Sequence, residues 1–113
     1  MEIIDKRIDD VQILELSGRF DTSTAESVLQ RIDSMTETPP AKVVINMADV
    51  TFVDSTGLST LVQGSKKSRQ QEGDLFICGL QQPVRIIFEL TRLDKYFEIF
   101  SAEEDAVYAF TLR

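Results

Sequence analysis

The stretch "TFVDSTGLSTLVQ", residues 51–63, opens as the end of an apolar strand and continues as an amphipathic helix with Leu58, Leu61 and Val62 on one face. Between the two lie Asp54, Ser55, Thr56 and Gly57, none of which brings apolar bulk. Asp54 or Ser55 alone would suffice as an N-cap, with Thr56 in the first turn and Gly57 permitting close packing. The doubled hydroxyl beside a carboxylate therefore leaves one group free to face solvent. A serine hydroxyl there is a plausible phosphorylation target, because the unpaired N–H groups and positive dipole end of a helix tolerate an added phosphate.

Upstream of this junction, "KVVIN" (42–46) has the continuous apolar character of a central strand, and "SMTETPPA" (34–41) is a polar connector. Further upstream, Ile3, Ile4, Ile8, Val11, Ile13, Leu14 and Leu16 are broken by Asp9 and Asp10, which predicts an opening hairpin closed by Gly18. Ser23 and Glu26 have the spacing of a capping box before Ala25, Val28, Leu29 and Ile32, so Asp21 falls in a loop feeding a helix. Downstream, the helix after Ser55 ends in Lys66, Lys67 and Arg69 before Gly73 and the strand "LFICG". Pro83 suits the first turn of a helix carrying Val84, Ile87 and Phe88. "YFEIF" (96–100) reads as a strand, and Ser101 with Glu104 as a second capping box for a last helix carrying Ala106, Val107, Ala109 and Phe110.

This order predicts an α/β fold: one domain over residues 1–113, with a mixed, mostly parallel central sheet of about five strands, about four helices and an opening β-hairpin. Loops at the C-terminal ends of parallel strands gather on one edge. "GRFD" and "VDSTG" both leave strands for helices, so both are expected there.

Composition narrows function. The chain has 113 residues, 42% of them hydrophobic, and a net charge of -7, which disfavours nucleic acid and anionic membranes as partners and favours a monomer. It contains no histidine and a single cysteine, Cys78, which reads as buried filler; neither a metal-ligand pattern nor a cofactor motif is present. "DSTG" is neither a G-x-S-x-G elbow nor a P-loop, so no catalytic residue is assigned. Asp21 and Asp54 as a Mg²⁺ pair carry less weight than two solvated carboxylates. With no basic start followed by a long apolar run, neither membrane insertion nor export is expected, and the expected compartment is the cytoplasm.

"VDSTGL", preceded by "VVINMADVTF" and "LSGRFDTSTA" and followed by "GDLFICG" and "YFEIFSAEEDAV", resembles the STAS domain of bacterial anti-sigma factor antagonists. The resemblance implies phosphorylation of Ser55, with Thr56 a secondary acceptor, by a partner that is both serine kinase and anti-sigma factor, reversed by a serine phosphatase. It implies that the unphosphorylated protein sequesters that partner through Asp21, Asp54, Ser55, Thr56, Gly57 and Leu58, with Leu58 shared between contact and core. Two positions depart from the family pattern: Asn46, where an aspartate is frequent, and Arg92, where a glycine is frequent. The rival expectation is a constitutive accessory or scaffold subunit of a transport or signalling complex, with Ser55 only a helix cap.

Overall fold

The computed structural model describes residues 1–113. Strands β1 (Glu2–Ile8) and β2 (Val11–Phe20) form the expected hairpin, followed by α1 (Ala25–Met35), β3 (Lys42–Val53), α2 (Ser55–Gln70) and β4 (Asp74–Cys78). The chain then continues through α3 (Gln82–Leu90), a one-turn α4 (Leu93–Tyr96), β5 (Ile99–Phe100) and α5 (Glu103–Thr111). The sheet order is β1-β2-β3-β4-β5; only the β1–β2 pair is antiparallel, because each later strand is reached through a helical crossover.

Alternation along the strands sorts side chains into two cores. Leu14, Leu16, Val43, Ile45 and Met47 face α1, α2 and α3, whose Val28, Ile32, Leu61, Val84 and Phe88 complete the larger core. Val11, Ile13, Val44 and Phe76 face the other way and meet Ala106 and Phe110 of α5, with the Phe76 and Phe110 rings stacked at 4.1 Å. Cys78 is fully buried on that side, and burial pushes its thiol up to about 12, so it is protonated and inert near neutral pH.

Two local expectations are corrected. Neither capping box forms: α1 begins at Ala25 behind Thr24, α5 begins at Glu103 behind Ala102, and neither preceding residue makes a side-chain cap. The expected strand 96–100 shrinks to Ile99–Phe100, because Tyr96 closes α4 and Phe97 turns into the core against Phe88. With the one-turn α4 the helices number five, in keeping with the expected count of about four.

Arg92 stands at φ 64°, in the left-handed region that glycine adopts without strain, at the start of α4. A side chain costs roughly 1 kcal/mol there, partly offset by the unfolded-state entropy that glycine adds. Arg92→Gly is therefore expected to raise the urea unfolding free energy by about 0.5 kcal/mol.

Candidate functional site

β2 and β3 run parallel and finish together, Phe20 beside Val53, so the loops that follow them meet. The Asp54 N–H donates to the Phe20 carbonyl at 3.2 Å, which fixes the start of α2 against the end of β2. Gly57 allows this approach: a Cβ there would lie 2.7 Å from the Phe20 carbonyl oxygen and 2.8 Å from Val53 Cγ2.

Asp54 is the N-cap of α2. One carboxylate oxygen accepts the Gly57 N–H at 2.9 Å, and the other accepts the Thr22 N–H at 3.2 Å with the Thr22 hydroxyl at 3.4 Å. The Thr22 hydroxyl also lies 3.2 Å from that of Thr56. One carboxylate thus caps a helix and ties it to the β2–α1 loop. Asp54→Ala removes both functions and is expected to lower the unfolding free energy by about 1–2 kcal/mol in urea denaturation.

Ser55, the first residue of α2, is exposed, and its hydroxyl makes no hydrogen bond within the protein. Cap and free hydroxyl are therefore different residues. Thr56 is half-buried and its hydroxyl is engaged by Thr22. Asp21 stands in the same mouth, its carboxylate accepting the Ser23 N–H at 3.1 Å and the Ser23 hydroxyl at 2.7 Å. The Ser23 hydroxyl, then its N–H and the Arg19 guanidinium, hold the Asp21 carboxyl below the usual carboxylate range. Ser23 is drawn to Asp21 instead of capping α1, which explains the missing box.

Asp21, Asp54, Ser55 and Thr56 thus share one sheet edge. Gly57 and Leu58 lie beneath it: Gly57 is buried, and Leu58 is 8% exposed within the larger core. Their side of the first turn supports the rim and presents little surface of its own. Asn46 lies elsewhere, on the α5 side, where its amide donates to Glu103 at 3.0 Å. An aspartate there would set two carboxylates together.

Sequence reasoning missed Thr22 and Arg19. Thr22 lines both grooves flanking the Asp-Ser-Thr turn, one bordered by Arg19, Asp21, Phe52 and Asp54, the other by Glu26, Leu29, Thr56 and Gln63. Arg19 brings a positive charge to the mouth, its guanidinium 4.1 Å from the centre of the Phe52 ring. Position 22 carries no distinguishing signal in a Thr-Ser-Thr run, and the Arg19–Phe52 pair depends on the β2–β3 register.

The chain as a whole is similar to known proteins. An anti-sigma-B factor antagonist of Listeria monocytogenes is 29% identical over 103 residues, 91% of this chain and 90% of that protein. An anti-sigma F factor antagonist of Paenibacillus polymyxa is 26% identical over 98 residues, 86% of this chain and 84% of that one. The crystal structure of an anti-sigma factor antagonist from Mycobacterium paratuberculosis matches with a TM-score of 0.85 at 28% identity, covering 96% of this chain and 92% of that one. The STAS domain profile matches residues 2–106. With the five-stranded sheet and the Asp-Ser-Thr-Gly turn at its edge, that match places the chain in the STAS domain family.

Proposed function

We propose that this protein is an anti-sigma factor antagonist switched by phosphorylation of Ser55. Unmodified, it docks the edge bearing Asp21, Asp54, Ser55 and Thr56 on a partner that is both serine kinase and anti-sigma factor, and sequesters it. The kinase activity of the partner then modifies Ser55 and ends the association, and a serine phosphatase restores it; the output is transcriptional and the setting cytoplasmic. The observation carrying this reading is the exposed Ser55 hydroxyl at the first residue of α2, left without a partner because Asp54 does the capping.

Physical chemistry gives the switch its direction. The N-terminus of α2 accepts a phosphate, gaining roughly 0.3–1 kcal/mol from the dipole. Against this, two unit charges about 4 Å apart at an effective dielectric of about 20 repel by roughly 4 kcal/mol, less with solvent screening. The phosphate beside Asp54 is thus sustained by the helix and strongly felt by anything docked on it. No helix is long and apolar enough to cross a membrane.

Incubation with ATP and a lysate of the protein's own cell, followed by mass spectrometry, should find phosphate on Ser55 and none there in Ser55→Ala. An unmodified Ser55, or phosphate on Thr56 alone, would contradict the proposal and favour the constitutive scaffold reading.

A further inference from the structure

β1 is the free margin of the sheet, paired with β2 on one side and with nothing on the other. All seven of its residues except Ile3 are exposed, so it presents a row of unpaired backbone groups. Its register with β2 fixes which way each side chain points. Ile4, Lys6 and Ile8 stand opposite Glu15, Ile13 and Val11 and so face the α5 side, while Ile3, Asp5 and Arg7 face the α1 side. Because α5 packs on β3, β4 and β5, it leaves Ile4 and Ile8 uncovered at 51% and 40% exposure.

From this pattern we infer that β1 is the seam of a homodimer, in which two copies pair their β1 strands antiparallel about a two-fold axis passing through Lys6. A two-fold antiparallel seam matches residues that share a face. With Lys6 on the axis, Ile4 meets the partner's Ile8 on the uncovered face, and on the other Asp5, paired at 2.9 Å with Arg31 of its own chain, meets the partner's Arg7. Symmetry makes each match twice. Centring the axis on Asp5 would instead oppose two carboxylates and set Ile4 against the partner's Lys6. Centring it on Arg7 would oppose two guanidinium groups and set Asp5 against the partner's Asp9.

The two lysines at the axis do not spoil the seam. Each Lys6 ammonium is held 2.8 Å from Glu15 and 2.8 Å from Glu103 of its own chain, so its charge is compensated and drawn away from the margin. Edge charges ordinarily deter pairing. Here they are self-complementary, which selects a second copy over an unrelated strand. The net charge of -7, the ground for expecting a monomer, is screened beyond about 8 Å at physiological ionic strength and does not set this local match. Ser55 lies past the C-terminal end of β3, outside the seam, so the inference is independent of the phosphorylation switch.

Sedimentation equilibrium at about 100 μM on the full chain tests it, since a dissociation constant of about 1 μM or below leaves nearly all of the chain dimeric there. The wild type should show twice the 12.8 kDa chain mass. Asp5→Arg and Arg7→Asp each set like charges opposite each other, and each alone should raise the dissociation constant about 10-fold or more. An equimolar mixture of the two variants should regain dimers, because the new arginine of one chain faces the new aspartate of the other. Both positions are exposed, Asp5→Arg also gives up the ion pair to Arg31 of its own chain, and a cooperative thermal melt confirms that each variant is folded. A single-chain mass for the wild type, variants that dimerise as tightly as the wild type, or a mixture that stays dissociated would overturn the inference.

Discussion

Ser55→Asp is expected to weaken association with the anti-sigma partner by about 10- to 1000-fold, while Ser55→Ala keeps the affinity of the unmodified protein and accepts no phosphate at that position. The size follows from charge. A phosphate adds about -1.5 to -2 at neutral pH, and the substitution imitates part of it on the same exposed residue beside Asp54. A docked partner desolvates the edge, lowers the effective dielectric there and turns a tolerable repulsion into a loss of roughly 1–4 kcal/mol. Neither substitution touches the cap, because the Gly57 N–H is accepted by Asp54. Both should therefore unfold within about 0.5 kcal/mol of the wild type. Titration calorimetry against the partner reads the affinities, and equal values for the two variants would contradict the switch.

Gly57→Ala should cost about 2 kcal/mol of stability and lower Tm by about 5 °C or more, although Gly→Ala inside an exposed helix ordinarily gains about 1 kcal/mol. The sign is reversed by the space. The new methyl would press on the Phe20 carbonyl oxygen at 2.7 Å and on Val53 Cγ2 at 2.8 Å, and backbone at the end of a buried strand yields little. To relieve the contact, the first turn of α2 must lift away from β2. That movement strains the bond from the Asp54 N–H to the Phe20 carbonyl and the contacts that tie Thr22 to Asp54. Partner affinity should fall with stability, unlike the Ser55 variants, which leave the melt unchanged. A thermal melt equal to or above the wild type would show that the turn does not sit as closely on β2 as described.

Much of the fold was legible because apolar periodicity reports burial directly. "KVVIN" is continuous because β3 is covered on both faces, and Leu61, Val84, Phe88, Ala106 and Phe110 mark helix faces that are indeed buried. The junction itself read correctly as strand into helix, with Val53 the last strand residue and Ser55 the first of α2. Spacing rules for short polar residues failed, since they name a possible hydrogen bond without naming its competitors. Ser23 had Asp21 within reach, and Glu103, next to the expected second cap, is bound by Asn46 and Lys6 from distant strands. Aromatic-rich "YFEIF" satisfied strand propensity, yet Tyr96 sits in α4, its ring 5.0 Å from that of Phe97 and 4.9 Å from the Arg69 guanidinium. At the site, the acidic and hydroxyl residues were visible as a motif. The division of labour between Asp54 and Ser55, and the role of Thr22, depend on loops 32 residues apart in sequence and appear only once β2 and β3 are in register.

The most direct test of the switch is a pull-down from extract of the protein's own cell, with the unmodified protein and the Ser55-phosphorylated protein as parallel baits and mass spectrometry as the readout. A serine kinase retained by the unmodified bait and missing from the phosphorylated one is the predicted result. The same proteins captured in the same amounts by both baits would contradict it.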